Sequence, residues 1–188
     1  MTDRTTRQQQ GRLIIITGPR GAGKTTLCGR LIRRAREAGW RVAGVLSPPR
    51  MVEGQKTGID VVNLATDERR ELAVRSFTAP AAIRTTGYAF DAQAMEWGNA
   101  TLAASGGCDL LVVDELGPLE LQRGQGWQAG LTVLDQGNYR LGLVVVRPEL
   151  LEDARRRWPE AQEIGVVEVK EVPQIESKLI EAGLLSVG

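Results

Sequence analysis

Residues 18–26 read Gly18-Pro19-Arg20-Gly21-Ala22-Gly23-Lys24-Thr25-Thr26, which fits the pattern G-x-x-x-x-G-K-[ST]. The apolar run Leu13 to Ile16 leads into this stretch, and a helical pattern from Lys24 to Ala38 leads out of it. That pattern puts Leu27, Leu31, Ala35 and Ala38 on one face and Arg30, Arg33, Arg34 and Glu37 on the other, with Gly39 as a stop. From the chain's own glycine, lysine and serine/threonine usage, about 0.005 such matches are expected by accident, even before the strand-loop-helix setting is required. The glycines let backbone N–H groups turn inward around a polyphosphate, and the helix N-terminus adds a favourable dipole. Lys24 can neutralise the β and γ oxygens, and the Thr25 hydroxyl can ligate Mg2+.

The rest of the chain repeats this alternation. Further apolar runs lie at Val42 to Leu46, Leu110 to Val113, Leu141 to Val146 and Ile164 to Val169, rich in β-branched residues and without clean in/out alternation. Such runs suit strands covered on both faces. Helical patterns fall at Asp91 to Ala104, Gly126 to Asp135, Pro148 to Trp158 and Pro173 to Ala182. Strand alternating with helix predicts an α/β fold: a parallel sheet of about five strands with helices on both faces. Gly58 to Leu64 and Glu71 to Phe77, joined by the polar turn Ala65 to Arg70, predict an inserted β-hairpin around 58–77. Ser47 to Thr57, with Pro48, Pro49 and Gly54 and few apolar residues, reads as a mobile loop. At 188 residues the chain is close to one domain in length, expected over 12–188 behind a disordered polar tail at 1–11.

Leu110-Leu111-Val112-Val113 ends in Asp114-Glu115. A parallel strand delivers its C-terminal end to the rim that carries the phosphate loop, so Asp114 can reach a hydrated Mg2+ and Glu115 can orient or deprotonate water. The distance in sequence from Lys24 leaves room for another strand between the two in the sheet. Asp114-Glu115-Leu116-Gly117 also fits the D-x-x-G of switch GTPases, but no Asn-Lys-x-Asp guanine motif follows. For positive charge near a γ-phosphate, Arg147 follows the Leu141 to Val146 run on the same rim, with Arg20 and Arg123 as rivals.

Composition removes other chemistries. Histidine is absent, which excludes Ser-His-Asp and Cys-His catalysis and the His-Glu-x-x-His zinc site. Cys28 and Cys108 form no Cys-x-x-Cys pair and fit small core or near-surface thiols in a reducing cytoplasm. Lys plus Arg number 24 against 23 Asp plus Glu, so no net field draws the chain to nucleic acid or an anionic membrane. No apolar run reaches the ~18 residues of a membrane span. The run Arg30 to Arg36 reads as the solvated face of a helix, and Trp40, Trp97, Trp127 and Trp158 as packing residues.

With GPRGAGKTTL at 18–27, GQKTGIDVV at 54–62, YAFD at 88–91 and VVDELGPLEL at 112–121, the chain resembles the small cancer-related nucleoside-triphosphatases and their thermophile relatives. The likeness runs from Arg12 to the last helix. The family's acidic motif usually reads D-E-I-G-x-M-E; Asp114, Glu115, Gly117 and Glu120 match it and Leu119 replaces the Met. After the second strand the family often has Glu and Arg, where this chain has Pro49 and Met51, with Arg50 offset by one. The resemblance implies a three-layer P-loop NTPase fold and Mg2+-dependent hydrolysis of nucleoside triphosphates, ATP, GTP and others, to diphosphate and phosphate. It places Gly18, Gly21, Gly23, Lys24, Thr25 and Thr26 on the phosphates and Glu115 in catalysis. Two alternatives remain open on the residues themselves. A kinase would use Glu115 to take a proton from an acceptor hydroxyl, with the polar Gln122 to Gly126 segment as a lid. An adaptor would bind nucleotide and meet a partner through Ser47 to Thr57.

Overall fold

In the computed structural model, which describes residues 11–75, 83–85 and 87–185, strands and helices alternate except for a run of strands between the first two helices. They are β1 (Arg12–Thr17), α1 (Lys24–Glu37), β2 (Val42–Leu46), β3 (Pro49–Val52), β4 (Gln55–Asn63), β5 (Arg69–Val74), β6 (Ile83–Thr85), β7 (Tyr88–Phe90), α2 (Ala92–Ala103) and β8 (Cys108–Leu116), followed by α3 (Pro118–Leu121), α4 (Gln128–Gln136), β9 (Tyr139–Val146), α5 (Leu151–Arg157), β10 (Gln162–Gly165) and α6 (Val172–Glu181). The expected tail lies outside the described residues except for Gly11, whose N–H donates to Gly137 O at 3.0 Å. Residues 76 and 77, the expected end of the second hairpin strand, also lie outside them.

Among the described residues the strands form one sheet in the order β10-β1-β9-β8-β2-β4-β5-β7-β6, with β3 paired to β4. From β10 to β2 every pairing is parallel. This half carries the expected strands, except that the last, expected over Ile164 to Val169, is β10 at Gln162–Gly165, with exposed Val167 and Val169 beyond its end and Val169 opening a short 3-10 turn; β9 fills the place between the strand entering the phosphate loop and the strand ending in the acid pair. Beyond β2 every pairing is antiparallel. Among the described residues the strand count is therefore ten rather than about five, because the hairpin of β4 and β5 does not stand apart but extends the same sheet through β2, and β3, β6 and β7 pair onto it.

The apolar runs lack alternation because both faces are covered. Ile14, Ile16, Val112 and Val145 pack with Leu27, Leu31 and Ala35 of α1, and Leu179 of α6 joins that layer. Ile15, Val113, Val144 and Val146 face the opposite layer, with Leu102 of α2, Leu131 and Leu134 of α4 and Ala154 of α5. Removing each such aliphatic side chain from water contributes roughly 1.5–3 kcal/mol. The helix starts are legible in local chemistry: Asp91 caps α2, its Oδ1 accepting from Ala94 N at 2.7 Å.

Ser47 to Thr57 is not the loop its composition suggested. β3 runs back along β4 as a tight ribbon, Pro49 opposite Ile59 and Val52 opposite Gln55. Met51 and Val52 remain exposed on it, so neither face builds the apolar alternation by which a strand is read. The basic run on α1 is held by acids. Arg30 and Arg34 pair with Glu176 of α6, and Arg36 donates to Asp67 Oδ1 and Leu64 O, both at 2.7 Å.

Candidate active site

Because β1, β2, β8 and β9 are parallel, the residues just past their C-terminal ends share one rim: Gly18, Ser47, the end of β8 and Arg147. The loop from Gly18 to Gly23 turns there into α1. Two glycines are required by close packing. A Cβ on Gly18 (φ +145°) would lie 1.9 Å from Val166 O, and one on Gly23 (φ +103°) 2.9 Å from Val172 Cγ2. Gly23 is also the N-cap of α1, in the left-handed region, with no side-chain cap and no acidic residue in the first helical turn. The positive end of that helix thus carries no neutralising group of its own, which suits an anionic ligand.

Lys24, the first residue of α1, is buried, and its ammonium donates to Gly18 O at 2.7 Å and Pro19 O at 3.0 Å. It therefore spans the mouth of its own loop. Ala22 is buried under the turn, its N–H on Pro19 O at 3.3 Å, while Pro19, Arg20, Gly21 and Thr26 face outward.

Pairing of β8 with β9 shifts register between Val113 and Leu116, so β8 carries one extra residue where the acids stand. Asp114 is 1% exposed. Its Oδ2 accepts from Ser47 N at 3.1 Å, the Ser47 hydroxyl donates to Asp114 O, and the Thr25 hydroxyl also hydrogen-bonds its carboxylate. Burial pushes the Asp114 carboxyl up to about 7, with Glu115 acting in the same direction and the bonds from Ser47 and Thr25 and the charge of Lys24 acting against it. A buried carboxylate beside a hydroxyl is a hard-oxygen pair suited to Mg2+, which keeps water and phosphate oxygens as its other ligands. The residues present fit the ion, and a divalent charge there would offset the cost of burying the carboxylate.

Glu115 is half-buried, and its Oε1 accepts from Arg147 Nε at 2.9 Å. Of the three candidate arginines, Arg147 is the one that meets the acid pair; Arg20 and Arg123 are exposed. Arg50, offset from the family's position, is committed to Asp60 and Glu71 within the antiparallel half.

Gly117 N–H donates to Glu120 Oε2 at 2.7 Å. The D-x-x-G glycine is thus bound to a neighbouring carboxylate, whereas a switch glycine must offer that N–H to a γ-phosphate. Glu120 was legible only as a motif match. In the fold it is a buried clip whose Oε1 also accepts from Trp127 N at 3.0 Å, with burial raising its pKa against both bonds. Ser47 was missed as a site residue because it opened the supposed loop. The available signal was its place as the first polar residue after a strand bonded to β8. Trp127 is buried over Gly98 and is a packing residue, not a rim aromatic.

A glycine loop held by a lysine, on the same C-terminal rim of a parallel sheet as a buried aspartate and a half-buried glutamate, defines a protein of the P-loop NTPase fold. The sequence profile of the family described as NTPase matches residues 13–176, and the chain belongs to that family. The nucleoside-triphosphatase THEP1 of Caldivirga maquilingensis is 36% identical over 110 residues, 58% of this chain and 61% of that one. The protein of the same name from Hyperthermus butylicus is 32% identical over 139 residues, 73% of this chain and 72% of the other. The matched part thus spans about 61% of the length of the Caldivirga relative. In fold the chain is similar to a human cancer-related nucleoside triphosphatase, with a TM-score of 0.71 at 23% identity over 95% of this chain and 100% of that one. It is also similar to THEP1 of Aquifex aeolicus, with a TM-score of 0.66 at 20% identity over 93% and 99%.

Proposed function

We propose that the protein hydrolyses nucleoside triphosphates, ATP, GTP and others, to the diphosphate and phosphate. The observation that carries this is the acid pair at the end of β8, with Asp114 buried beside Thr25 and Glu115 half-buried on the rim. The backbone from Gly18 to Thr26, including Pro19, Arg20 and Ala22, would wrap the phosphates, and Lys24 would leave its loop carbonyls for the β and γ oxygens. Thr25 and Asp114 would hold Mg2+, which when bound draws charge from those oxygens. Glu115 accepts the proton of a water placed in line with the departing diphosphate, a role worth roughly 10² to 10⁴ in rate. Two free, buried cysteines fit work in a reducing cytoplasm. No helix among the described residues is long and apolar enough to cross a membrane.

The kinase alternative offered Gln122 to Gly126 as a lid, and hydrogen bonds hold that segment. Gln125 N donates to Leu119 O at 2.8 Å, Asn99 Nδ2 to Gly126 O at 2.9 Å, and Gln128 Nε2 to Gln125 O at 2.6 Å. Phosphate release from ATP, GTP, CTP and UTP, with and without Mg2+, tests the proposal against Glu115→Gln. Metal-dependent release from several nucleotides, lost in the variant while binding persists, is the expected result. Binding without release in the wild type would refute it.

A further inference from the structure

Arg147 leaves the C-terminal end of β9, between the strand that enters the phosphate loop and the strand that ends in Asp114-Glu115. Its described side-chain contacts run to the end of the second. Nε donates to Glu115 Oε1 at 2.9 Å, with the two side chains 29% and 30% exposed. The flat guanidinium lies over Gly117, where a Cβ would stand 3.5 Å from Cζ and Nε and 3.6 Å from Nη2. Glu120 lends it a second negative charge.

The support beneath it is fixed in turn. Gly117 is held from behind by Glu120 Oε2, and the other oxygen of that carboxylate holds Trp127 N. One face of the guanidinium therefore rests on a clipped turn, and its Nε–H, the donor with least freedom to reorient, is spent on the carboxylate. A glutamate side chain has three rotatable bonds and, when half-exposed, samples many orientations. With Oε1 tied, the Glu115 carboxylate has one orientation and keeps Oε2 for a proton.

We infer that Arg147 is a positioning residue for Glu115: it fixes the carboxylate that activates water and acts on the reaction through that carboxylate, not as a ligand of the transferred phosphate. This role rests on Glu115 being the base, as proposed above.

The test is a double-mutant cycle on Mg2+-dependent ATP hydrolysis, using Arg147→Ala, Glu115→Gln and the double variant, with Arg147→Gln and Arg147→Lys alongside. Urea midpoints check folding, and ATP and ADP affinities are measured for each. Loss of a positioned group predicts kcat lower by ~10- to 100-fold in Arg147→Ala, with KM within about 3-fold of wild type. In the Glu115→Gln background the same change alters the residual rate by less than about 2-fold, since the carboxylate to be positioned is gone. The ratio of ATP to ADP affinity stays that of the wild type. Arg147→Gln gives the same pattern should the alanine variant fold poorly, and Arg147→Lys, which lacks the planar Nε–H, recovers only part of kcat. Equal losses in both backgrounds, or a selective loss of ATP over ADP affinity, would overturn the inference in favour of a phosphate ligand. If Glu115→Gln turns over like wild type, the base assignment fails and takes this role with it. If Glu115→Gln is inactive and Arg147→Ala is not, only the positioning role fails.

Discussion

The carboxylate of Glu120 occupies the space into which a side chain on Gly126 would project: a Cβ there would lie 1.8 Å from Oε1. Gly126 also has φ +69°, so its bare backbone is required twice over, by shape and by conformation. Gly126→Ala is expected to destabilise the protein by about 2–4 kcal/mol, through left-handed strain and the displaced bonds to Gly117 and Trp127. Gly124 two residues earlier has φ +62° and nothing within 4 Å of its would-be Cβ. Gly124→Ala should cost only about 1 kcal/mol. Equal shifts in the urea midpoint would refute the distinction.

Metal affinity should follow the hydroxyl and carboxylate at the start of α1 and the end of β8. Thr25→Ala and Asp114→Asn are expected to raise the Mg2+ concentration for half-maximal phosphate release by ~10- to 100-fold, while Thr25→Ser stays near wild type. Removal of the ion with a chelator should stop turnover, and Mg2+ titrations of the four proteins read the result. A Thr25→Ala curve that overlays the wild type would remove Thr25 from the ligand set.

Between α1 and α6, burial raises the pKa of the Glu176 carboxyl, and the bonds from Arg30 and Arg34 more than offset it, so the group ends below the usual carboxylate range. The unfolded chain, with a glutamate near pKa ~4.3, takes up that proton first as pH falls. The stabilisation is therefore complete above about pH 4.3 and lost as pH drops through the native value. Glu176→Gln should cost about 1–2 kcal/mol at neutral pH, a modest figure because both arginines are partly exposed. It should also flatten the acid limb of stability against pH. Parallel curves for the two proteins between pH 3 and 6 would show that the pair is not linked to folding.

Trp127 fills the groove opposite Gly98, where a Cβ would stand 2.4 Å from its Cζ3. Gly98→Ala should force the indole out of its seat between α2 and α4 and cost ~1–3 kcal/mol by overpacking. Since Trp127 is buried in that layer, any change in tryptophan emission on nucleotide binding should be the same in wild type and Trp127→Phe. A change that vanishes in the variant would place the indole near the ligand.

What the sequence made legible was whatever local chemistry determines. The phosphate loop, the apolar strands of the parallel half, the helix expected from Asp91 and the acid pair each carry their signal within a few residues. In the antiparallel half only the hairpin of β4 and β5 does. β3, β6 and β7 are short or exposed, and their identity as strands depends on partners that no local pattern reveals, as with Pro49 opposite Ile59. Within the site, Ser47 escaped and Glu120 showed only as a motif match, for a related reason. Each binds backbone atoms away from its own position, the Ser47 hydroxyl donating to Asp114 O and Glu120 accepting from the N–H groups of Gly117 and Trp127, and a polar residue carries no mark of which backbone group it will meet.

β2 is bonded to β8 on one side in parallel and to β4 on the other in antiparallel, with Val45 facing Val113 across one ladder and Asn63 across the other. That strand is a seam. Residues gained or lost beyond it lengthen or trim the far margin of the sheet, while the rim with Gly18, Asp114 and Arg147 is braced from the parallel side. The molecule's outline can thus vary among descendants of one ancestor while its chemical centre stays fixed.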